Sequence, residues 1–532
     1  MIDFENKNSD NEFEGLKLDI EKESVIAKTK QINKKTNTDK KIEINENLYI
    51  NKRLNEISFI EETVSFHMPG HKYGKVYDKL GYKNIMENLY KTDTTEIPGT
   101  DDLHSPEDII KKSIGKAERV FKSKKTYFVV NGSTCGIQAA IQTICYPGDK
   151  IILNRDCHQS AVNACIMGDL RPVYIKAEMD NKSGIQRGTN PDNAINVIEN
   201  NKDAKAVFLT YPTYYGITYD LRKICECAHR NNMMVIVDEA HGAHIGLSDI
   251  LPMTALECGA DIAVQSTHKT LPAFTRSSMI HLNNEEIDTD RLDKMLSITE
   301  TSSPSYILMQ SLEIATDIYE KYGKELMSEL LEEIDFFIEN TEKIKQRLME
   351  DDKLKNNNSF YKIYCENDKT KIFVSSADIG IPGYEFERIL REEHKIQVEL
   401  SNYYGVLMIC TIGNERADFE KMEIALEKIY AEHALEKSIE FIEYPDTSER
   451  MVLTPREAFY SRNVKSVEID KSEGMICAEN IVPYPPGVCM IADGEKIQRD
   501  AIDYLKYCRE KGMNICGMKD ENFKYIQVID NN

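Results

Sequence analysis

The stretch MVIVDEAHGAH (residues 234–244) indicates the fold class of this 532-residue chain. It opens on four apolar residues, two of them valines, which is typical of a buried strand, and the strand ends at an acid, Asp238. Helical patterns such as DLRKICECAHRNN (220–232) separate it from similar short runs. These runs are TYFVV (126–130), KIILN (150–154), PVYIK (172–176), AVFLT (206–210) and IAVQS (262–266). Apolar strands that alternate with helices predict a mostly parallel α/β sheet, covered on both faces.

The rest of the chain divides by composition into four segments. Residues 1–45 are polar and aperiodic, so we expect a disordered or loosely docked tail. Residues 46–365 form an N-terminal segment and a large domain, with long helical patterns over about 305–350. We expect a smaller α/β domain over 366–435, and residues 436–532, with the proline-dense loop VPYPPGV, indicate a third small domain or an appendage.

Composition excludes several classes of protein. A net charge of −22 argues against a nucleic-acid partner, which would need clustered Lys and Arg. The sequence has no apolar run long enough to span a membrane, and its N-terminus lacks the apolar core of a secretory signal. Thirteen cysteines, an odd number without framework spacing, predict reduced thiols in a cytoplasmic protein.

A metal site is not expected. His67 and His71 are four residues apart, but Pro69 and Gly70 between them prevent the helix that would place both on one face. We interpret this stretch as a loop that reaches towards the active site.

Asp238 is open to two chemistries. Asp238-Glu239-Ala240-His241 is also a helicase signature, in which the acid holds magnesium under a nucleotide. A helicase needs the phosphate loop G-x-x-x-x-G-K-[ST], and the sequence contains none before Asp238. The alternative is that Asp238 binds a protonated ring nitrogen of an organic cofactor.

Two further strand ends carry polar residues. Asn131-Gly132-Ser133-Thr134 opens a helix after TYFVV, where hydroxyls and free amide groups favour an anion, although a plain helix cap would look the same. His158 follows the strand KIILN and so lies on the side of such a sheet where ligands bind. A histidine with a purely structural role at this position is an equal alternative.

Lys269 lies one helix and one strand after Asp238, directly after His268 and three residues after Ser266. Pyridoxal 5′-phosphate needs a lysine for its Schiff base, an acid at its ring nitrogen, an anion site and a flat group on its ring. The strand ends supply all four in one order along the chain. The sequence therefore predicts the aminotransferase-like fold of type I pyridoxal-phosphate enzymes.

Longer stretches resemble one family of these enzymes. They are FHMPGHKYG (66–74), TDTTEIPGTDDLHSPEDII (92–110), FVVNGSTCGIQAAI (128–141), NRDCHQSAVNACIMGDLRPVYI (154–175), PTYYGITYDL (212–221), VDEAHGAHIG (237–246), STHKTLPAFTRSSMIH (266–281) and VPYPPGVCMIADGE (482–495). The chain resembles the Orn/Lys/Arg decarboxylase family, in its short form, from about residue 46 to the C-terminus.

The resemblance implies a role for each site residue. Lys269 would carry the cofactor, Asp238 would hold the pyridinium, His158 would stack on the ring and Ala240 would pack beneath it. Thr301 or Ser302 would reach the phosphate of a neighbouring subunit, which implies a homodimer or a higher homo-oligomer. The phosphate would be held by Ser133, Thr134, Ser266 and His268.

The resemblance also implies a substrate. Long members of the family usually carry a Gln where this chain has Phe274-Thr275-Arg276-Ser277, and STHKTLPAFT resembles the short Gram-positive type, often arginine decarboxylases. We expect decarboxylation of arginine to agmatine and CO₂, with lysine or ornithine as alternatives. An aminotransferase or lyase on the same fold is less favoured, because residues 397–415 lack the arginine that would bind an α-carboxylate.

A basic substrate needs a carboxylate for its far end, since an unpaired buried charge is costly. Asp101 and Asp102 are one candidate source, offered to a partner subunit, and Glu399 is another. Helix capping by the two aspartates and a strand end at Glu399 are the alternatives.

Overall fold

The computed structural model describes residues 49–50, 53–54, 63–180, 183–350, 360–434, 438–445, 451–484 and 487–530. The predicted tail, residues 1–45, lies outside the described residues. The chain forms one compact unit from Glu62 to Asn532 and a separate one, Met1–Glu61, in which the four described residues are helical and exposed. All further description concerns the larger unit.

The N-terminal segment of this unit begins at a strand that pairs with the small domain and ends in a helix that packs against the large domain. It comprises β1 (Val64–Phe66), α1 (Lys75–Lys79), α2 (Lys83–Met86) and α3 (Ile109–Val120). Strand β1 pairs in parallel with residues 396–398. The loop after β1 is held by Lys72, whose buried Nζ donates to the carbonyl oxygens of His67 (2.7 Å) and Ile409 (2.9 Å).

A seven-stranded sheet forms the centre of the large domain. The elements of this region are β2 (Lys125–Val129), α4 (Ser133–Ile144), β3 (Lys150–Asn154), α5 (Gln159–Gly168), β4 (Arg171–Ile175), β5 (Ala177–Asp180), β6 (Ile185–Thr189), α6 (Pro191–Asn200), β7 (Ala206–Thr210), α7 (Leu221–Arg230), β8 (Met234–Asp238), β9 (Ile262–Gln265), α8 (Thr267–Thr270), β10 (Ser278–Leu282) and α9 (Thr289–Thr299). The strand order is β2-β10-β9-β8-β7-β3-β4, while β5 and β6 form a separate hairpin. Strand β10 is antiparallel to both neighbours and the other neighbouring pairs are parallel.

The mostly parallel sheet predicted from the apolar runs is confirmed. Every residue of β9 is buried, and so is every residue of β8 except its first, because helices cover both faces of the sheet. Since parallel strands end at the same edge, the residues after β3, β7, β8 and β9 meet there.

A long helix leads from the large domain to the small one. The strands and helices of the small α/β domain follow this helix in the chain. The elements are α10 (Tyr306–Glu350), β11 (Lys362–Tyr364), β12 (Lys371–Ser375), α11 (Gly383–Glu392), β13 (Ile396–Val398), β14 (Leu400–Asn402), β15 (Gly405–Ile409) and α12 (Arg416–His433). Strands β11-β12-β15-β14 form an antiparallel sheet, and one hydrophobic core joins it to α10 and β1. Neither α10 nor any other helix in the described part of the chain combines the length and apolarity that crossing a membrane requires.

The C-terminal region adds two small antiparallel sheets. Its elements are α13 (Pro455–Phe459), β16 (Val464–Glu468), β17 (Ile476–Cys477), β18 (Val482–Tyr484), α14 (Arg499–Glu510), β19 (Asn514–Cys516) and β20 (Tyr525–Ile529). The strands pair in the orders β16-β20-β17 and β18-β19. The predicted divisions at residues 365/366 and 435/436 stay predictions, because the elements from Glu62 onward form one compact unit.

Candidate active site

A cleft of about 680 Å³ opens at the carboxyl-terminal edge of the central sheet. Its walls come from the loops after β2, β3, β7, β8 and β9, from β14 of the small domain, and from the C-terminal region around β18. Eight predicted site residues line it together: Ser133, Thr134, His158, Asp238, Ala240, Ser266, His268 and Lys269.

The start of α4 forms one end of the cleft. Gly132 precedes it with φ 86°, a left-handed conformation that glycine adopts without strain, and Ser133 is the first helical residue. The first amide groups of a helix have no acceptor within it, so they are available to an anion. Ser133 Oγ lies 2.6 Å from Ser266 Oγ, which joins this loop to the loop after β9. The arrangement is a neutral donor set suited to a phosphate.

Asp238 lies at the end of β8 and is only 3 % exposed. Its Oδ1 accepts a hydrogen bond from the backbone N–H of Ala240 at 3.1 Å. Burial raises the pKa of Asp238, and the opposing attraction of Lys269 and His158 does not cancel this rise. A buried carboxylate in this position favours a cationic partner.

Lys269 lies in the short helix α8, and its amine contacts a histidine that the sequence analysis gave no role. Nζ of Lys269 lies 3.0 Å from Nε2 of His241. Burial lowers the pKa of Lys269, and burial followed by repulsion from Lys269 lowers that of His241 far below its usual value. His241 is therefore neutral, and its Nε2 lies within hydrogen-bond distance of the lysine amine. Tyr214 packs edge-on against its ring, with the ring centres 4.4 Å apart.

His158 caps α5 and at the same time faces the cleft. Its Nδ1 accepts from the backbone N–H of Ser160 at 3.2 Å and lies 2.8 Å from Ser160 Oγ. These contacts hold the ring orientation, and burial lowers the pKa of His158, so the imidazole presents a neutral face to the cleft.

Comparison with known proteins identifies the family. The model of the major domain of Orn/Lys/Arg decarboxylases matches residues 54–418, and the model of their C-terminal domain matches residues 441–522. The chain belongs to the Orn/Lys/Arg decarboxylase family.

Individual members of the family are similar over most of the chain. Arginine decarboxylase from Bacillus subtilis (strain 168) is 33% identical over 474 residues, which are 88% of this chain and 95% of the relative. Inducible lysine decarboxylase from Escherichia coli (strain K12) is 23% identical over 566 residues, with 87% and 77% of the two chains covered. The crystal structure of lysine decarboxylase from Francisella novicida superposes with a TM-score of 0.71 at 23% identity, covering 90% of this chain and 80% of that one.

These matches confirm the predicted family, the type I fold and pyridoxal 5′-phosphate as the cofactor of an amino-acid decarboxylase. The residues of the cleft fit that cofactor by their chemistry. Paired serine hydroxyls at a helix start suit its phosphate, the buried Asp238 suits its ring nitrogen, and Lys269 lines the same cleft. The role of each single residue in this decarboxylase stays a prediction.

Glu399 lies directly behind the cleft wall, because its neighbour Leu400 and its partners Met68 and Tyr214 line the cleft. Its Oε1 accepts from the Tyr214 hydroxyl at 2.5 Å, and its Oε2 accepts from the Met68 N–H at 3.0 Å and lies 2.8 Å from His67 Nδ1. Burial raises the pKa of Glu399, but these contacts outweigh it and the net pKa is lowered. Both oxygens already have partners within the chain.

The other predicted residues lie away from the cleft of their own chain. Asp101 caps α3, with its two oxygens accepting from the N–H groups of Asp102, Glu107, Asp108 and Ile110. Asp102 accepts from the N–H of His104 at 2.8 Å. Thr301 is half-buried and Ser302 exposed, and neither lines the cleft.

Glu300, next to them, braces the phosphate loop. Its Oε1 accepts from the backbone N–H groups of Val130 (2.9 Å) and Asn131 (3.1 Å). The sequence contains no local sign of this contact, since the residues it joins are far apart in the chain.

The C-terminal domain is part of the cleft, which the sequence analysis did not predict. Val482, Gly487 and Cys489 line the cavity. Arg155, three residues before His158, is buried and forms a two-pronged ion pair with Glu495 at 2.6 and 2.7 Å. The same guanidinium donates to the carbonyl oxygen of Cys489 at 3.0 Å. In the sequence, the arginine directly after the strand pattern KIILN is the signal that could have indicated this contact.

Proposed function

We propose that this protein removes the α-carboxylate of L-arginine as CO₂ and releases agmatine, a polyamine precursor. The observation that carries the proposal is the 33% identity to arginine decarboxylase from Bacillus subtilis over 88% of the chain. The lysine decarboxylase from Escherichia coli is 23% identical over a similar share.

Pyridoxal phosphate, when bound, accepts the electron pair that remains at Cα as the carboxylate leaves. We assign to Asp238 the task of keeping a proton on the ring nitrogen, because a buried carboxylate stabilises the charged form of its partner. His158, fixed by Ser160, supplies the flat neutral face for the ring. A proton must then return to Cα, and we assign this step to Lys269 with His241 behind it at 3.0 Å.

The guanidinium of the substrate needs an acid, and the candidates stay Asp101, Asp102 and Glu399. Because both oxygens of Glu399 have partners, we infer that it acts through Tyr214 and Met68, whose atoms line the cleft. Asp101 and Asp102 can serve only the cleft of a partner subunit. In each case the KM for arginine should rise more than cofactor affinity changes when the acting residue is replaced.

We further propose a homodimer with shared active sites, in which Thr301 and Ser302 reach the cofactor phosphate of the partner. Their position outside their own cleft supports this. A mixture of two inactive variants, Lys269→Ala and a Thr301→Ala/Ser302→Ala double variant, should regain activity, because mixed dimers hold one intact site. Mixtures that stay inactive while exchanging subunits would argue against sharing.

The substrate is tested directly. Purified protein with pyridoxal phosphate is incubated with arginine, lysine or ornithine, and CO₂ and the amine product are measured. Agmatine as the main product supports the proposal. Cadaverine or putrescine as the main product would replace arginine by lysine or ornithine, and keto-acid products would indicate an aminotransferase.

We also propose a cytoplasmic location. All thirteen cysteines are free thiols and only Cys516 is exposed, which suits a reducing compartment. Fractionation of the native host, with the enzyme followed by antibody, tests the location.

A further inference from the structure

The turn after Lys269 differs from the pattern of the family's long members, and the proposed function gives it no role. Residues 274–277 form a tight turn, closed by the N–H of Ser277 donating to the carbonyl oxygen of Phe274 at 3.0 Å. Arg276 is its third residue and has φ 81°. This conformation normally favours glycine, and a non-glycine residue held in it is strained.

The turn is anchored on both sides. The N–H of Phe274 donates to Ser311 Oγ at 3.2 Å, and Ser277 Oγ lies 3.0 Å from the same oxygen. The carbonyl oxygen of Ser277 is 3.0 Å from His268 Nδ1 and accepts the N–H of His268 at 3.2 Å. The strained arginine is therefore held rigidly, next to the segment that carries Lys269.

The side chain of Arg276 lines the cleft beside the phosphate loop. Its guanidinium donates to Oδ1 of Asn131, the residue before Gly132. Asn131 is itself held, because its Nδ2 donates to the carbonyl oxygen of Thr299 at 3.1 Å. Among the residues that the structure describes, no carboxylate forms an ion pair with Arg276.

The charge balance of the cleft favours a cation at this end. A phosphate monoester carries nearly two negative charges at neutral pH. The predicted phosphate ligands are neutral, since Ser133, Thr134 and Ser266 are hydroxyls and burial lowers the pKa of His268. His158 and His241 are neutral for the same reason. Of the described residues that line the cleft, this leaves Lys269 and Arg276 as cations, and Lys269 is committed to the Schiff base.

We propose that Arg276 binds the phosphate of pyridoxal phosphate and supplies the positive charge that the other ligands lack. Arginine suits this task because its planar fork can donate two hydrogen bonds to one phosphate. The strained turn is retained because it points this fork at the phosphate loop. The proposal rests on the cofactor site of the proposed function and not on arginine as the substrate.

The experiment measures cofactor affinity rather than turnover. Full-length enzyme is dialysed against a series of pyridoxal phosphate concentrations, and the bound fraction is read from its absorbance. Pyridoxal, which lacks the phosphate, is the second probe. Arg276→Gln removes the charge, and Arg276→Gly removes it while accepting the positive φ, so a folding defect in the first is separable from the loss of the guanidinium.

We expect both variants to bind pyridoxal phosphate about 10- to 100-fold more weakly, and pyridoxal as the wild type does. The exposed Arg462→Gln, with the same change of charge, should leave both affinities unchanged. Wild-type affinity for pyridoxal phosphate in both Arg276 variants would overturn the proposal. So would an equal loss for the two probes, or a raised KM for the amino acid with unchanged cofactor affinity, which would assign Arg276 to the substrate carboxylate. Failure of the substrate panel would leave these titrations unaffected.

Discussion

The contact between Lys269 and His241 bears on the protonation of the lysine amine. An amine can attack an aldehyde only when it has lost its proton. Burial lowers the pKa of Lys269, which favours its neutral amine, and the neutral ring of His241 lies 3.0 Å from that amine. We therefore predict that Lys269 reacts with the cofactor as a neutral amine positioned by His241.

Replacing Lys269 with Ala should abolish both decarboxylation and the yellow absorbance of the bound cofactor, because no other lysine lines the cleft among the described residues. Absorbance spectra and CO₂ release measure the two effects. Lys294→Ala, on the exposed side of α9, is the control and should retain both. A yellow, active Lys269→Ala enzyme would show that the cofactor is attached elsewhere.

His67 and Glu399 predict a dependence of stability on pH. The hydrogen bond to Glu399 raises the pKa of His67 above its usual 6.5, and the net pKa of Glu399 lies below its usual 4.5. The stabilisation from His67 is complete below pH 6.5 and is lost as pH rises through its raised pKa. That from Glu399 is complete above pH 4.5 and is lost as pH falls through its lowered pKa.

We therefore expect the Tm of Glu399→Gln to fall furthest below that of the wild type between pH 4.5 and 6.5, with the difference shrinking on either side. Thermal unfolding of both proteins across this range measures it. The effect should be modest, since His67 is partly exposed to solvent. A constant difference at all pH values would mean that the two groups do not titrate as a pair.

At the scale of elements, the free N–H groups around the start of α3 bind the carboxylate of Asp101, which precedes the helix. Asp101 accepts four backbone N–H groups, and these hydrogen bonds lower its pKa to about 2 against the opposing effect of burial. Its backbone φ is 68°, and its carboxylate lies over the first turn of α3. Asp102 makes a single contact of this kind.

Asp101→Ala should cost about 1–2 kcal/mol of unfolding free energy, as the loss of a helix cap does. Asp102→Ala, the matched neighbour, should cost less. Urea unfolding of the two variants measures the difference, and KM for arginine measured alongside separates capping from substrate binding by a partner subunit. Equal stability of Asp101→Ala and the wild type would mean that these four contacts contribute little.

At the scale of the whole molecule, the ion pair of Arg155 and Glu495 joins the C-terminal domain to the central sheet. Both side chains are almost fully buried, so the charges are separated from water and depend on one another. Arg155 also lies in the loop that carries His158, and its partner segment lines the cleft through Cys489. The C-terminal region therefore forms part of the cleft wall, and this ion pair ties it to the loop after β3.

Glu495→Ala should destabilise the protein by about 3–5 kcal/mol, because it leaves a buried guanidinium without a counter-charge. The double variant Arg155→Met/Glu495→Leu should recover most of that loss, since it buries no charge. Denaturant unfolding of both variants measures this. If the double variant is no more stable than Glu495→Ala, the packing of these side chains and not their charge is what matters.

Much of the architecture could be predicted from local patterns. Apolar runs of four or five residues predicted the strands β2, β3, β4, β7, β8 and β9 to within about two residues of their ends. A strand that is buried on both faces must be apolar along its length, so its pattern is visible without knowing its neighbours. The placement of Asp238, Lys269, His158 and the Ser133 loop in one cleft followed, because parallel strands end at one edge.

Contacts between distant parts of the chain could not be predicted in this way. His241 is visible in the motif that follows β8, but only the fold brings its ring to Lys269. The partners of Glu399 come from the loop after β1 and from the loop after β7, and that of Arg155 comes from the C-terminal region. Such pairings depend on how domains pack, and no local periodicity records that.

The sequence by itself therefore indicated the mostly parallel sheet and the cofactor, and it predicted the order of the groups that would bind that cofactor, because each inference rests on short stretches of the chain. Only the tertiary structure decided which acids are already paired, which cation faces the phosphate loop, and that the C-terminal domain closes the cleft. These depend on distances between side chains far apart in the chain, and packing alone sets those distances.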